Sequence, residues 1–238
     1  MKGVILAGGR GSRLSSLTKS IGKHLLPIYD KPMIFYPLEL IKKLLIKDTL
    51  VVLNKESAGK TIELLGNGEN FGLDLYYKIQ EQPKGMAHAL SLAENFANGG
   101  NIAVLVCDNV FEDIPDISNF KDGARIFLKE TQDANKFTVA GLFQDKILRF
   151  EEKPNKPKSN YAVTGFYLYD SKVFDYIKKV KPSPRGELEL VDVFNEYVKD
   201  GKIDYRISSG FWTDTGSFES LYKASEFVKN NPNIFKYD

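Results

Sequence analysis

The sequence has very little cysteine and no long apolar run. A single Cys among 238 residues, Cys107, cannot form an intramolecular disulfide. No stretch approaches the roughly 20 apolar residues needed to span a bilayer. The N-terminus also turns to glycine and arginine before the apolar core of a signal peptide could develop. We therefore expect a soluble chain in the reducing cytoplasm, with no membrane partner.

The sequence also lacks an excess of either charge. Its 33 Lys and Arg residues nearly balance 31 Asp and Glu residues, which leaves a net charge of +2. Such a balance does not attract nucleic acid or an anionic membrane through net charge. Because 42% of the residues are apolar, the chain can bury a sizeable core, and the disordered and fibrous classes are excluded. Local basic groups must then bind any anionic ligand.

Short apolar runs alternate with helical patterns in the first part of the chain. This alternation is typical of an α/β fold with a mostly parallel sheet covered by helices, in which ligands bind at the carboxyl ends of the strands. Strands are predicted at 4–7, 49–53, 75–79 and 102–106, and helices at 33–47, 57–65 and 85–96.

The second part of the chain predicts an antiparallel addition to this sheet. Strands at 137–143 and 147–150 are close enough to form a hairpin. We found no repeat, low-complexity segment or linker, so a single domain over 1–238 is the simplest organisation. The other elements predicted here are strands at 124–129, 161–169 and 203–207 and helices at 171–180, 190–198 and from Ser217 to Lys229.

A loop rich in glycine and arginine follows the first predicted strand. Gly8, Gly9 and Gly11 would let backbone N–H groups approach a phosphate, and the Arg13 guanidinium could pair with its oxygens. A lone glycine-rich loop is equally compatible with a flexible turn. The Walker A pattern is absent, and the dinucleotide fingerprint has Leu14 in place of its third glycine. A P-loop enzyme and a nicotinamide cofactor are therefore both disfavoured.

Two aspartates occupy positions suited to a metal ion. Asp108 directly follows the strand predicted at 102–106, and Asp214 follows an aromatic pair. Carboxylates suit Mg²⁺, which keeps several waters and also binds substrate phosphate oxygens. The alternative is that each Asp only shapes a turn, which is a common role for this residue.

These features occur together and in one order in the sugar-1-phosphate nucleotidylyltransferases, which the chain resembles. The resemblance covers nearly the whole chain, and it implies a Rossmann-like nucleotidyltransferase fold with a mixed, mostly parallel central sheet flanked by helices. The motifs that carry it are 8–14, 23–27, 31–34, 80, 85–89, 108–109, 151–154, 158–165, 185–189 and 212–216.

The resemblance also implies a reaction. The phosphate of a sugar 1-phosphate attacks the α-phosphorus of a nucleoside triphosphate and releases pyrophosphate. The expected substrates are dTTP and glucose 1-phosphate, with Mg²⁺ as the cofactor. Another sugar 1-phosphate, UTP or CTP remain alternatives. So do a nucleotide-sugar-binding homologue without turnover and a glycosyltransferase, although the Asp-x-Asp motif of the latter is not evident.

Residue roles follow from the same resemblance, position by position. Catalysis is expected from Arg13, Lys23 and Asp108, and metal binding from Asp108 and Asp214. Nucleotide contacts are expected from Gly8, Gly9, Gly11, Ser12, Arg13, Gln80, Gly85 and Asp108, and sugar-phosphate contacts from Asn109, Thr138, Glu152, Lys153, Val163 and Arg185.

The chain departs from the family pattern at several positions. Cys107 replaces the usual Gly before Asp108. Thr138 stands where the family has a Gly that lines the sugar pocket, so we expect its side chain to extend toward the hexose. A different sugar, a tighter pocket and weaker activity are all open outcomes. The chain also resembles the family's short form, for which we expect a homo-oligomer, either a dimer or a tetramer.

Overall fold

The computed structural model describes residues 1–19 and 21–235, in which strands and helices alternate in the first part and six strands, β6 to β11, follow without an intervening α-helix. The strands are β1 (Lys2–Ala7), β2 (Pro27–Ile28), β3 (Lys31–Pro32), β4 (Asp48–Asn54), β5 (Asp74–Gln80), β6 (Ile102–Val106), β7 (Asn109–Phe111), β8 (Ala124–Glu130), β9 (Thr138–Phe143), β10 (Lys146–Glu152), β11 (Tyr161–Tyr169), β12 (Ile203–Ile207) and β13 (Trp212–Asp214). The helices are α1 (Ser15–Thr18), α2 (Phe35–Lys43), α3 (Ala58–Leu65), α4 (Met86–Ser91), α5 (Glu94–Ala97), α6 (Val173–Lys179), α7 (Leu190–Lys199) and α8 (Phe218–Asn230).

Internal contacts divide the chain into two compact units. The N-terminal unit consists of residues 2–83, 105–114 and 210–238, and the central unit consists of residue 1 together with 84–104 and 115–209. The single domain predicted from the sequence is not tested by this division and stays a prediction. No helix in the described ranges is both long enough and apolar enough to cross a bilayer.

The parallel part of the sheet in the N-terminal unit follows the predicted order. β1 pairs in parallel with β4, and β4 pairs in parallel with β5. The register places Ala7 beside Leu53, and Asn54 beside Gln80. Because these strands end at one edge, the glycine-rich loop after β1 and the Gln80 side chain belong to the same edge.

Two predicted helices differ from the observed ones. α2 ends at Lys43 rather than at residue 47, because Leu45 adopts a left-handed conformation with φ of 58°. Leu45, which lies within the range predicted for this helix, is 93% exposed. The helix predicted at 85–96 is interrupted between α4 and α5. At the interruption the N–H groups of Leu92 and Ala93 bond to carbonyls three residues back, which tightens the turn.

The central unit contains the predicted antiparallel strands. β9 and β10 form a hairpin whose turn residues, Gln144 and Asp145, have φ of 47° and 60°. Positive φ at both turn residues is the geometry of a tight hairpin turn. β11 pairs antiparallel with β8 and β9, and β12 pairs in parallel with β8. The strands of the protein are therefore mixed in direction, as predicted.

A short pair of strands in the N-terminal unit was not predicted. β7 and β13 pair antiparallel, with Asn109 opposite Asp214 and Phe111 opposite Trp212. Each strand has only three residues, which is too short for a periodic pattern to reveal it. This pairing brings the segments that contain Asp108 and Asp214 together, although the two aspartates are far apart in sequence.

The last helix, α8, begins at the predicted cap. The Ser217 hydroxyl accepts the N–H of Ser220 at 3.2 Å, and the Ser220 hydroxyl accepts the N–H of Ser217 at 3.0 Å. Ala224 and Val228 on this helix pack in a buried cluster with Leu14. Leu14 immediately follows Arg13, so α8 supports the end of the glycine-rich loop.

Candidate active site

The glycine-rich loop leaves no room for side chains at two of its positions. A Cβ atom at Gly8 would lie 2.7 Å from Oε1 of the buried Gln80. Gly11 has φ of 65°, and a Cβ atom there would lie 3.0 Å from Cβ of Lys23. Gly9 is exposed and faces open space. Glycine is therefore required at 11, where φ is positive and the loop closely approaches Lys23, whereas a side chain at 8 would displace the end of the Gln80 side chain.

An ion pair joins Lys23 to Asp108 in a sheltered position. Lys23 Nζ donates to Asp108 Oδ2, and the two side chains are only 12% and 19% exposed. Asn109 donates its amide to the other carboxylate oxygen at 2.8 Å. Burial alone would raise the pKa of Asp108, but the Lys23 charge, these hydrogen bonds and Arg13 hold it below its usual value. Asp108 is therefore ionised at neutral pH.

A second ion pair joins Arg13 to Asp214, with 3.5 Å between Arg13 Nη2 and Asp214 Oδ2. A Cβ atom at Gly216 would lie 2.3 Å from the Arg13 Nη2 atom and 2.8 Å from Asp214 Oδ2. Burial, followed by the negative charge of Asp108, raises the pKa of Asp214, and the charges of Arg13 and Lys23 oppose that rise. The two carboxylates are thus close enough to repel each other.

Residues without a predicted role hold this arrangement in place. Thr215 donates both its N–H and its hydroxyl to the Asp108 carbonyl oxygen, at 2.7 and 2.9 Å. Trp212 donates its indole N–H to Asn109 Oδ1 at 2.7 Å. Both residues belong to the motif at 212–216, which was the only signal in the sequence that could have found them.

The donor set at this site suits a hard divalent cation. Asp108 and Asp214 supply carboxylate oxygens, and their mutual repulsion is what a bound dication would relieve. Mg²⁺ in particular needs few protein ligands, because it keeps water and binds phosphate oxygens. Among the described residues, no cluster of three or more His, Cys, Asp or Glu side chains could hold a metal ion.

A basic cavity of about 380 Å³ lies beside the glycine-rich loop in the N-terminal unit. Its cationic lining residues are Arg10, Lys19, Lys23 and Lys60, and Glu56 is its acidic one. Within the described parts of the chain, Arg10, Lys19 and Lys60 form no ion pair, in contrast to Lys23. The cavity therefore offers uncompensated positive charge that a polyanion could neutralise.

In the central unit, Thr138, Glu152 and Lys153 lie together at the open end of the β9–β10 hairpin. The Thr138 hydroxyl donates to Glu152 Oε2, and Lys153 Nζ lies 3.2 Å from Glu152 Oε1. Thr138 was expected to extend toward a hexose. Its hydroxyl bonds to the carboxylate that was expected to bind the sugar, and the contact of Thr138 with the sugar stays a prediction.

The other predicted residues of the central unit are held by separate contacts. Arg185 donates to Glu189 Oε1 at 2.8 Å, and Glu189 also accepts from Ser183 at 3.0 Å. Val163 is buried in β11. Gly85 has φ of 96°, and a Cβ atom there would lie 2.4 Å from the Leu188 carbonyl oxygen.

Two predicted residues lie in a different unit from most of their predicted set. Gly85, expected to contact the nucleotide, belongs to the central unit, whereas most of that set belongs to the N-terminal unit. Asn109, expected to contact the sugar, belongs to the N-terminal unit, and its amide bonds to both Asp108 and Trp212. Asn109 therefore orients the carboxylate of Asp108.

His24, next to Lys23, is buried rather than available for acid–base chemistry. Its Nε2 lies 2.7 Å from the Thr61 hydroxyl, which in turn donates to the Ser57 carbonyl at 2.8 Å. Burial lowers the pKa of His24 to about 4, against a smaller opposing effect of the Ala7 backbone. The neutral imidazole thus links the segment around Lys23 to α3.

Comparison with known proteins identifies what the chain resembles. Residues 2–231 match the family model described as nucleotidyl transferase. The glucose-1-phosphate thymidylyltransferase of Neisseria gonorrhoeae is 40% identical and aligns over 98% of this chain and 84% of its own length. The enzyme of the same name from Xanthomonas campestris is 39% identical over 96% of this chain and 80% of its own length.

Solved structures agree with this fold. One is a Bacillus anthracis protein, provisionally assigned as a glucose-1-phosphate thymidylyltransferase and crystallised with sucrose. Its structure aligns with a TM-score of 0.93 and 43% sequence identity, and the alignment covers 100% of this chain and 97% of that protein. UDP-glucose pyrophosphorylase bound to UDP-glucose has a TM-score of 0.84 and 24% identity, covering 97% of this chain and 98% of its own, and shows the fold alone. The predicted Rossmann-like class is confirmed.

The burial of neutral His24 predicts that the free energy of unfolding falls at acidic pH. In the folded state its pKa is lowered from 6.5 to about 4, so between these values the unfolded chain binds a proton that the folded chain does not. Stability is therefore lost as the pH falls from about 6.5 toward 4, by about 3 kcal/mol from this residue. We expect His24→Gln to remove that part of the pH dependence, as measured by urea unfolding from pH 7 to pH 4.

The control is His88→Gln, at a less buried histidine, which should keep most of the wild-type slope. Parallel pH profiles for wild type and His24→Gln would contradict the assignment of a neutral buried imidazole.

Proposed function

This chain belongs to the nucleotidyl transferase family, and we propose that it is a glucose-1-phosphate thymidylyltransferase. In the proposed reaction a phosphate oxygen of glucose 1-phosphate bonds to the α-phosphorus of dTTP. The bond from that phosphorus to the bridging oxygen breaks, which yields dTDP-glucose and pyrophosphate. The observation that carries the proposal is the pair of cations, Arg13 and Lys23, matched to Asp108 and Asp214 beside the glycine-rich loop.

The nucleotide is proposed to bind in the N-terminal unit. The backbone of Gly8, Gly9, Gly11 and Ser12 would approach the phosphates, and the Gln80 amide could both donate to and accept from a base. Gly85 of the central unit is kept as a further proposed contact to the base. Two polyanions have to meet in this reaction, so most of the catalysis comes from positioning and from cationic stabilisation.

Arg13 and Lys23 have distinct proposed roles. Arg13 is largely exposed, with 61% of its side chain accessible, so it can reach a triphosphate and stabilise the departing pyrophosphate. Lys23 is sheltered and would neutralise the charge of the phosphate under attack. No side-chain nucleophile is required, because the sugar phosphate itself attacks.

Mg²⁺ is the proposed cofactor, held by Asp108 and Asp214. When bound, it would neutralise phosphate charge and help to orient the triphosphate. Asn109 and Thr215 keep Asp108 oriented for this purpose through their bonds to its carboxylate and its backbone carbonyl. Lys23 would then give up its contact with Asp108 in favour of a phosphate oxygen.

The sugar phosphate is proposed to contact residues of the central unit. Glu152 can accept hydrogen bonds from sugar hydroxyls, and Lys153 and Arg185 supply positive charge for the phosphate. Val163, Thr138 and, from the N-terminal unit, Asn109 complete the proposed set. We further propose a cytoplasmic enzyme that assembles as a dimer or a tetramer.

The direct test is product identification. We expect incubation with dTTP, glucose 1-phosphate and Mg²⁺ to release pyrophosphate and to give a product with the mass of dTDP-glucose. A panel that replaces dTTP by UTP or CTP, and glucose 1-phosphate by other sugar 1-phosphates, separates the alternative substrates. Nucleotide binding in calorimetry without any pyrophosphate release would instead favour a binding homologue that has lost turnover.

Removing either carboxylate charge tests the metal site. Asp108→Asn and Asp214→Asn should each lower kcat at least about 100-fold, because each loses an interaction worth several kcal/mol in the transition state. The measurement is the initial rate at saturating substrates across a Mg²⁺ titration. Asp74→Asn is the control, since Asp74 pairs with Lys47 on the surface of the same unit. Full activity in either site variant would overturn the metal assignment.

The uncompensated charge of the basic cavity is expected to strengthen the binding of dTTP and pyrophosphate. Lys60→Gln removes one uncompensated charge, which should raise the KM for dTTP and the inhibition constant of pyrophosphate about 5-fold, corresponding to about 1 kcal/mol. The KM for glucose 1-phosphate should stay within about 2-fold. Lys55→Gln, which alters a lysine paired with Glu81, is the matched control. Equal effects of both variants would contradict a specific role of the cavity.

A further inference from the structure

We propose that Thr138 is a positioning residue that fixes the Glu152 carboxylate and thereby sets which sugar 1-phosphate the protein accepts. The proposal rests on the proposed function, and it concerns the choice among sugar 1-phosphates, which that function alone does not specify. The role proposed here is exerted through Glu152 and is additional to the contact with the sugar phosphate proposed above for Thr138.

The hairpin places the two residues directly opposite each other. Thr138 is the first residue of β9, Glu152 is the last residue of β10, and the register pairs them. The N–H of Lys153 donates to the Phe137 carbonyl at 3.1 Å, which closes this end of the hairpin. Opposite residues have Cβ atoms about 5 Å apart, so a threonine hydroxyl can reach a glutamate carboxylate.

Lys153 restrains the same carboxylate by pairing with its other oxygen. It has φ of 41°, a left-handed backbone conformation that is costly for a residue with a side chain. In this conformation Lys153 Nζ lies 3.2 Å from Glu152 Oε1, while Thr138 donates to Glu152 Oε2. Each oxygen of Glu152 therefore has one protein partner, and a strained residue supplies one of the two.

These contacts limit the directions from which a sugar hydroxyl can donate a hydrogen bond to Glu152. An ionised carboxylate has about four acceptor positions on its two oxygens. Two of these positions are taken by Thr138 and Lys153, and these two contacts restrain the directions of the remaining ones. Glu152 is 32% exposed, so a sugar hydroxyl can still reach it. A sugar whose hydroxyl approaches from another direction would lose this bond.

The closest competing explanation is that the pair only stabilises the hairpin. A purely structural contact would change the melting temperature and would lower kcat for all substrates alike. A positioning contact instead changes the KM for the sugar phosphate and the preference among sugars. The two explanations therefore differ in their kinetics.

The test compares Thr138→Val, which keeps the shape but removes the hydroxyl, with Thr138→Ser, which keeps the hydroxyl. For Thr138→Val we expect the KM for glucose 1-phosphate to rise about 10-fold, with the KM for dTTP within about 2-fold and the melting temperature nearly unchanged. Its preference for glucose 1-phosphate over the 4-epimer, galactose 1-phosphate, should fall by a similar factor. Thr138→Ser should restore both values.

Thr131→Val serves as the control in the same unit, because the Thr131 hydroxyl accepts the N–H of Asp133 in a turn. We expect it to match the wild type. An unchanged KM and an unchanged sugar preference in Thr138→Val, or equal losses in the Val and Ser variants, would overturn the proposal for Thr138.

The wild type separates this failure from a failure of the proposed function. If the wild type makes dTDP-glucose and Thr138→Val behaves in the same way, only the role of Thr138 is wrong. If the wild type neither converts nor binds any sugar 1-phosphate, both proposals fall together.

Discussion

The pairing of Asp108 and Asp214 with two cations is the interaction on which the candidate site depends. Two carboxylates in a sheltered position are tolerated only when positive charge compensates them, and here Lys23 and Arg13 provide it. Each cation reaches its partner because of a specific backbone feature. Gly11 lets the loop pass close to Lys23, and Gly216 leaves room for the Arg13 guanidinium. The two ion pairs therefore make use of the small size of glycine at 11 and 216.

The same charges explain how one site can hold both a polyanion and a dication. In the protein alone, carboxylates and cations satisfy each other. In the proposed complex, a triphosphate and a metal ion would offer each group a stronger partner of the opposite sign, so the two ligands would favour each other's binding. This exchange needs no large rearrangement, because the β7–β13 pairing and the bonds from Thr215 already fix the backbone of both aspartates.

Sequence patterns predicted the regular elements well and the site only in outline. Strands β11 and β12 have the predicted bounds, because a nearly continuous apolar run marks β11 and an alternating pattern marks β12. The end of α2 could not be predicted, because it depends on the left-handed conformation of Leu45, a residue with no local stop signal. The resemblance selected Asp108 and Asp214 from their motifs. The bond from Thr138 to Glu152 needed coordinates, since it depends on the exact register of a hairpin.

The order in which the chain supplies the N-terminal unit has a consequence for its biosynthesis. That unit is assembled from three separate stretches, and the last of them begins at Gly210. While a ribosome is still making the chain, β1, β4 and β5 can pair early, but Asp214 and Gly216 emerge only after residues 115–209 have been made. The central unit is already complete by then. The N-terminal unit of the nascent protein therefore stays partly formed until β13 and α8 have been made.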